Sequence, residues 1–184
     1  LLSAGTLAGT LAGTEAASAE GRNGSEAPKK PNILFFLVDD LGWSDIGCFG
    51  SRFHETPNID RLAEEGVRFT NAYAACHVSS PTRASLMTGR YPASIRLTYW
   101  LPGRKNWPFQ RLLNAPVEQH LPFEEITVAE TLRDNGYATA IIGKWHLGKG
   151  DSNPLAHGFD EHIPLGYNEG WPQGYYAPFR LNGY

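Results

Sequence analysis

The sequence lacks features that define several classes of protein. No run approaches the roughly 18–20 uninterrupted apolar residues of a membrane-spanning helix, and Lys and Arg are scattered along the chain. The 184 residues carry 16 basic and 19 acidic side chains, which gives a formal charge of −3 and a pI near 6.1. We therefore predict no transmembrane segment, and the charge gives no electrostatic basis for binding nucleic acid.

Cysteine is also scarce. Cys48 and Cys76 are too few for a disulfide scaffold, and they lack the spacing of a zinc knuckle. Aromatic side chains, in contrast, make up 12% of the residues and all lie after Leu34. Together with a hydrophobic fraction of 41%, they indicate a core-forming segment from residue 35 onward and exclude disorder throughout the chain.

Residues 1–30 differ in composition from the rest of the chain. They contain no aromatic side chain and repeat Leu-Ala-Gly-Thr, a composition that does not bury a core. We predict either a disordered linker or the remnant of a secretory signal, because Ala17, Ser18 and Ala19 have the small-x-small form of a cleavage site after a mildly apolar stretch. The second interpretation predicts a periplasmic or secreted protein.

Residues 151–184 are rich in residues that interrupt regular structure. They include five Gly, four Pro and seven aromatic side chains, without helical or strand periodicity. Loops with so many aromatic side chains normally pack against other parts of a protein. We therefore predict that the chain is a fragment of a larger domain that continues beyond both ends.

The middle of the chain alternates strand and helix signals. Residues 32–38 (NILFFLV) are typical of a strand buried on both faces, and the alternation over residues 67–73 predicts a second strand. Thr56 and Pro57 predict the start of a helix that ends at Gly66, and residues 81–88 predict a helix closed by Gly89.

The same alternation continues toward residue 142. Thr127 and Glu130 have the spacing of a capping box, and Gly136 predicts the end of that helix. Residues 137–142 then predict another strand. Alternating strands and helices indicate an α/β fold with a largely parallel sheet flanked by helices.

Polar clusters follow three of the predicted strands. Ligands of open α/β sheets collect beyond the carboxyl ends of strands, so these clusters are candidate site residues. Asp39 and Asp40 follow the first strand. Adjacent carboxylates repel each other unless a cation or solvent compensates, so the pair indicates either a hard divalent cation or a solvated turn.

Ser79 and Arg83 form the second cluster. Ser79 precedes a predicted helix whose first-turn N–H groups point toward it, and Arg83 lies four residues further on, where its fork of donors reaches back. A tetrahedral oxyanion fits such a place. The alternative is that Ser79 or Ser80 is an ordinary N-cap and Arg83 a solvated helix residue.

Lys144 and His146 form the third cluster, after the strand that ends at Ile142. They are two residues apart, so in an extended loop they project to the same side, where they could bracket one anion with His146 as a general acid. Simple surface exposure is the alternative.

Three ordered motifs resemble those of one family. Residues 79–90 (SSPTRASLMTGR) resemble the sulfatase signature of Cys or Ser, any residue, Pro, any residue and Arg, followed by Thr-Gly-Arg. Residues 136–148 (GYATAIIGKWHLG) resemble the second sulfatase signature, and residues 31–42 resemble the start of a sulfatase domain. The resemblance covers residues 31 to about 166, so it implies that residues 31–184 are the N-terminal part of a sulfatase catalytic domain.

The resemblance implies an alkaline-phosphatase-like α/β fold and a reaction at Ser79. In this family the signature residue is converted to formylglycine, and its hydrated aldehyde attacks the sulfur of a sulfate ester. The second hydroxyl then expels sulfate. By the same resemblance Asp39, Asp40 and Ser79 bind a calcium ion, and Arg83 and Lys144 stabilise the formylglycine and the sulfate charge. The resemblance also implies that His146 holds or deprotonates a hydroxyl of the nucleophile.

Two departures from the family pattern affect this interpretation. Most sulfatases of this type have Cys where this chain has Ser79, so modification requires a maturation enzyme that accepts serine, or else Ser79 is an inactivating change. A further Asp-Asn metal pair and a later His and Lys of the family are expected beyond Tyr184. The isolated chain is therefore expected to be inactive.

Two other functions are compatible with the sequence. A phosphatase or phosphodiesterase of the same superfamily uses an unmodified Ser and two transition-metal ions, whereas a non-catalytic binder would only capture sulfated glycans. For the sulfatase interpretation, the resemblance implies a substrate that is a sulfated small molecule or polysaccharide. Aromatic side chains in 100–107 and 171–176 could stack on sugar rings, and export favours a polysaccharide.

Overall fold

The computed structural model describes residues 30–164, which divide between Val38 and Asp39 into two units. The second unit contains every helix and strand of the described residues. Three α-helices come first: α1 (Pro57–Glu65), α2 (Ser79–Thr88) and α3 (Val128–Asp134). Two short strands follow, β1 (Ala140–Ile142) and β2 (Glu161–Ile163). Single 3-10 turns occupy Gly47–Phe49 and Pro154–His157.

The two strands form a parallel sheet, in which Ile141 lies opposite His162. The chain enters it through Thr139, whose backbone carbonyl accepts hydrogen bonds from the amides of Asp160 (2.9 Å) and Glu161 (3.1 Å). The parallel pairing and the preceding helices confirm the predicted α/β class. The strand predicted over residues 137–142 forms only in its second half, as β1.

Two of the predicted helices have the expected ends. Thr127 accepts a hydrogen bond from the Glu130 amide and the Glu130 carboxylate accepts one from the Thr127 amide, so the capping box of α3 is confirmed. Helix α1 begins at Pro57 and stops before Gly66 as predicted. The Thr56 hydroxyl, however, does not cap α1, because it instead accepts a hydrogen bond from the Gly47 amide at 2.8 Å.

Helix α2 begins earlier than the sequence predicted. Val78 is extended (φ −129°, ψ 159°) and acts as the N-cap residue without a side-chain hydrogen bond. Ser79 is therefore the first residue of the helix, rather than a residue that precedes it. The C-terminal end is as predicted, because Gly89 adopts a left-handed conformation (φ 68°) that glycine tolerates at no steric cost.

A small apolar core lies between α2 and the segment that follows β1. Trp145 and Leu147, from that segment, are 1% and 0% exposed, and the Trp145 indole N–H donates to the Ser152 carbonyl at 3.0 Å. The other buried members come from α2 and from the long connection between α2 and α3: Ala84, Ile95, Leu97 and Leu121. This core fixes the backbone on both sides of Trp145.

Two predicted strands are wrong. Residues 32–38 and 67–73 form no strand, and large side chains in them are exposed, including Leu34 (79%) and Tyr73 (87%). A strand buried on both faces needs partners along its edges and layers over its faces. Within residues 30–164 the sheet consists of β1 and β2 alone, so neither segment has such partners.

Some predictions fall outside the described residues. They concern the signal remnant or linker predicted over residues 1–30, of which only residue 30 is described, and the aromatic segment over 171–176. Within 30–164, no helix has both the length and the apolar character needed to cross a membrane.

Replacing Trp145 by Ala should remove the largest side chain of the core. Because large-to-small substitutions in a core lose packing and leave a cavity, we expect the free energy of unfolding of the complete protein to fall by about 3–5 kcal/mol, measured by urea denaturation. Trp107→Ala is the matched control, since Trp107 is 58% exposed and its loss should matter little. Equal losses for the two variants would contradict the proposed core.

Candidate active site

One guanidinium group joins the predicted site residues. Arg83 Nε donates to Ser79 Oγ at 3.0 Å, and Nη1 donates to the backbone carbonyl of Lys144 at 2.8 Å. Its Nη2 lies 3.8 Å from Asp39 Oδ1, within ion-pair distance. Arg83 is 9% exposed. The side chain therefore connects helix α2 with two segments that are far away in the sequence.

The helix itself explains why Ser79 and Arg83 meet. Residues four apart lie on one face of an α-helix, one turn above the other. Because α2 begins at Ser79, the four-residue spacing to Arg83 is helical throughout. The predicted reach of Arg83 back to Ser79 is therefore present, with the serine inside the helix instead of in front of it.

Asp39 is held between two cations. Lys144 Nζ donates to Asp39 Oδ2, and the Arg83 guanidinium faces the other carboxylate oxygen. Burial raises the pKa of Asp39, but the hydrogen bond and charge of Lys144 and the charge of Arg83 outweigh it, so this pKa lies below its ordinary value. Asp39 is ionised at neutral pH and balances part of the positive charge of the site.

Alternating burial positions Lys144 and His146. Trp145 and Leu147 are buried in the core. Lys144 and His146, which alternate with them, are partly exposed and contact Asp39 and the Leu101 carbonyl, respectively. The two-residue spacing predicted that both side chains project to the same side of an extended loop. The backbone is not simply extended, however, because His146 has a left-handed φ of 58°. A residue with a side chain rarely adopts that conformation unless its surroundings impose it.

The hydrogen bond of His146 determines which ring nitrogen carries the proton. Nε2 lies 2.9 Å from the Leu101 carbonyl oxygen, which accepts but cannot donate, so Nε2 is the protonated nitrogen of the neutral ring. Nδ1 is then an acceptor, and within residues 30–164 it is buried without a hydrogen-bond partner. It is free to accept a proton from a bound group.

The charge state of His146 agrees with this tautomer. Burial lowers the pKa of His146 below its ordinary value, and the charges of Lys144 and Arg83 lower it further, against the opposing effect of the Leu101 carbonyl. The imidazole is therefore neutral at pH 7. The predicted role as a general acid would require a proton that this site disfavours, whereas a neutral ring is suited to act as a base.

The oxygen donors fit calcium in type but not in number. Asp39, Asp40 and Ser79 offer hard oxygen atoms, which are the ligands that calcium prefers. A calcium ion takes six to eight such ligands. Among residues 30–164 no group of three or more His, Cys, Asp or Glu side chains is placed to hold a metal ion. These residues can thus supply only part of a calcium site.

The structure brings together Ser79, Arg83, Lys144 and Asp39 in one network. The charges of Lys144, Arg83 and Asp39 also affect the pKa of His146. Asp40 follows Asp39 with a left-handed φ of 55°, and no hydrogen bond or ion pair among residues 30–164 joins it to this network. The sequence patterns did not indicate Leu101 as a site residue, because it contributes a backbone carbonyl, and every residue has one. No side-chain pattern marks such a partner in a sequence.

Known proteins resemble this chain over most of its length. Residues 31–179 match the family described as Sulfatase. The chain is 40% identical over 167 residues to N-acetylgalactosamine-6-sulfatase of Canis lupus familiaris, a match that covers 88% of this chain and 29% of that protein. Steryl-sulfatase of Homo sapiens is 45% identical over 143 residues, with 74% and 24% covered. The chain thus spans less than a third of these relatives.

Solved structures give the same result for the fold. The crystal structure of Ps i-CgsB superposes with a TM-score of 0.63 and 37% identity, over 76% of this chain and 30% of that one. This likeness confirms the predicted alkaline-phosphatase-like α/β class.

Replacing Lys144 by Met should raise the pKa of Asp39, because the variant loses the hydrogen bond and charge that lower it. A carboxyl group with a lowered pKa stabilises the fold above its unfolded-state pKa, and this stability disappears as pH falls through the folded-state value. The variant of the complete protein should therefore lose less thermal stability than the wild type between about pH 5 and pH 3.

The control for this experiment is Lys149→Met. Lys149 is exposed in the same loop, and the ion pairs of Asp39 within residues 30–164 are with Arg83 and Lys144 instead. It should keep the wild-type dependence of the unfolding temperature on pH. If Lys144→Met also keeps that dependence, the ion pair does not set the ionisation of Asp39.

Proposed function

The chain belongs to the sulfatase family, and on that premise we propose that the complete protein is a sulfuric ester hydrolase that uses residue 79 as its nucleophile. The observation that carries the proposal is the hydrogen bond of 3.0 Å from the buried Arg83 to Ser79 Oγ. A sulfate ester already carries negative charge and builds more on its leaving oxygen. Fixed cationic donors at the nucleophile stabilise that charge where it develops.

We propose that Ser79 is modified to formylglycine, which would supply a hydrated aldehyde with two hydroxyl groups. The spacing of Ser79 to Pro81 and Arg83 supports this, since it is the spacing of the family signature. In this proposal Arg83 holds the oxygen of residue 79 in place, and a maturation enzyme that accepts serine is a required partner. An unmodified serine would offer a single hydroxyl and no group to release the bound sulfate.

We propose that His146 removes a proton from the nucleophile and that Lys144 stabilises the negative charge of the sulfate. The neutral His146 ring can take a proton from a hydroxyl of residue 79 at its unpartnered Nδ1. Lys144, whose side chain is 18% exposed and paired with Asp39, offers positive charge to the sulfate oxygens. In this proposal His146 is a base or hydrogen-bond acceptor, which is the role that the family resemblance implied, and not the general acid that the spacing alone suggested.

We propose that Asp39, Asp40 and Ser79 contribute to a calcium site. Their donor type supports this, and the remaining ligands would come from residues outside 30–164. When bound, calcium would supply positive charge to the sulfate and to the oxygen of residue 79. Arg83 and Lys144 would then keep Asp39 ionised, which is the state a metal ligand requires.

For the substrate we propose the sulfate ester of a carbohydrate, in an exported protein. One relative is an N-acetylgalactosamine-6-sulfatase, and Ps i-CgsB has been crystallised with k-i-k-neocarrahexaose. In this chain Tyr99, Pro102 and Arg104 line an open cavity of about 270 Å³, and the Arg104 guanidinium lies 5.5 Å from the Tyr99 ring centroid. Activity assays on a panel of sulfated glycans and aryl sulfates test this proposal.

Replacing Ser79 by Cys in the complete protein tests the nucleophile. In a host whose maturation enzyme accepts only cysteine, the variant should be converted to formylglycine and should exceed the serine form in sulfate release by at least tenfold, an order-of-magnitude expectation for restored nucleophilic catalysis. Intact mass should show the loss that this conversion causes. Many turnovers by a serine form of unchanged mass would instead favour the phosphatase-like mechanism with an unmodified Ser79.

Replacing Asp40 by Asn tests the metal. Calcium binding measured by calorimetry on the complete protein should weaken at least tenfold, because a carboxylate ligand loses its charge. Asp39→Asn should do the same. Asp134→Asn, at an exposed position at the end of α3, is the matched control and should bind calcium as the wild type does. Unchanged affinity in the Asp39 and Asp40 variants would exclude both residues as ligands.

A further inference from the structure

Ser80 lies beside the proposed nucleophile but faces the interior. Successive residues of a helix are rotated by about 100°, so Ser79 and Ser80 occupy different faces of α2. Ser79 meets Arg83, whereas Ser80 is 0% exposed and its hydroxyl accepts a hydrogen bond of 3.0 Å from the Leu101 amide. A buried serine hydroxyl is retained in a core only when it is hydrogen-bonded.

The partner of Ser80 is also the partner of His146. The Leu101 amide donates to Ser80 Oγ, and the Leu101 carbonyl accepts from His146 Nε2 at 2.9 Å. Leu101 is 9% exposed. Leu101, in the long connection between α2 and α3, is therefore hydrogen-bonded to α2 through its amide and to the His146 imidazole through its carbonyl.

We propose that Ser80 is a positioning residue that selects the tautomer of His146 through Leu101. The catalytic importance of this tautomer rests on the proposed function. The effect of Ser80 on the tautomer does not. With the Leu101 carbonyl in place, the neutral ring keeps its proton on Nε2 and its lone pair on Nδ1. Nδ1 is then the acceptor available to the nucleophile.

Loss of the Ser80 hydroxyl has a defined consequence. The Leu101 amide would be buried without its acceptor, and the segment around it would shift to find another one. The carbonyl of Leu101 would move with it, because amide and carbonyl belong to the same residue. His146 would then lose the acceptor that holds its proton on Nε2, and both tautomers would become populated.

Two substitutions in the complete protein test this inference. Ser80→Ala removes the hydroxyl, and Ser80→Cys nearly preserves the volume of the side chain but offers only a weak acceptor. Ser85→Ala is the matched control, since Ser85 is a partly exposed serine of the same helix whose hydroxyl bonds the Arg90 carbonyl and not Leu101. Selective ¹⁵N labelling of histidine, with the His146 signals assigned by their loss in His146→Gln, reports the tautomer.

The wild type and Ser85→Ala should show a neutral His146 ring protonated on Nε2. The two Ser80 variants should show a mixture of tautomers. In sulfate release they should lose roughly tenfold or more in kcat with little change in KM. A loss of this size is typical when a residue that orients a functional side chain, without contacting the substrate, is replaced. If Ser80→Ala does not fold, Ser80→Cys decides the outcome.

The readouts separate the two claims. A complete protein without sulfatase activity, but with the tautomer change in the Ser80 variants, would contradict the proposed function and support the positioning role. An unchanged Nε2 tautomer in Ser80→Cys or Ser80→Ala would overturn the positioning role, whatever the activity. A fall in kcat without a change of tautomer would overturn it as well, because it would show a structural effect by another route.

Discussion

The Arg83 guanidinium is the contact on which the rest of the site depends. It is the point where helix α2, the segment at Asp39 and the segment at Lys144 meet, through three different nitrogen atoms. A planar fork of donors suits this geometry, because it can satisfy partners in several fixed directions at once. Arg83 is nearly buried, and burying a charged group costs free energy unless partners compensate its charge and satisfy its hydrogen bonds.

The core and the site are built from the same segment. Trp145 and Leu147 pack inward and the residues that alternate with them carry the proposed chemistry. A left-handed backbone at His146 costs roughly 1–2 kcal/mol, and the buried neighbours on both sides offset it. The positions of Lys144 and His146 are thereby determined by packing, so they do not depend on a flexible loop to come together.

Local patterns in the sequence predicted what is local in the structure. The Ser79–Arg83 contact follows from helical spacing, and the cap at Thr127 follows from its own residue types. The strands predicted from the apolar run over residues 32–38 and from the alternation over residues 67–73 are wrong, because a strand depends on partners elsewhere in the chain, and residues 30–164 supply none. The Leu101 carbonyl could not be predicted either, since its role comes from tertiary placement and not from its side chain.

Arg83→Lys in the complete protein tests the central claim most directly. Lysine keeps the charge but has one nitrogen, which cannot donate to Ser79, reach the Lys144 carbonyl and face Asp39 at the same time. With the unfolding temperature as a check on the fold, we expect kcat/KM for a sulfate ester to fall by about 10²-fold or more. A correctly folded Arg83→Lys protein with wild-type kcat/KM would contradict the account.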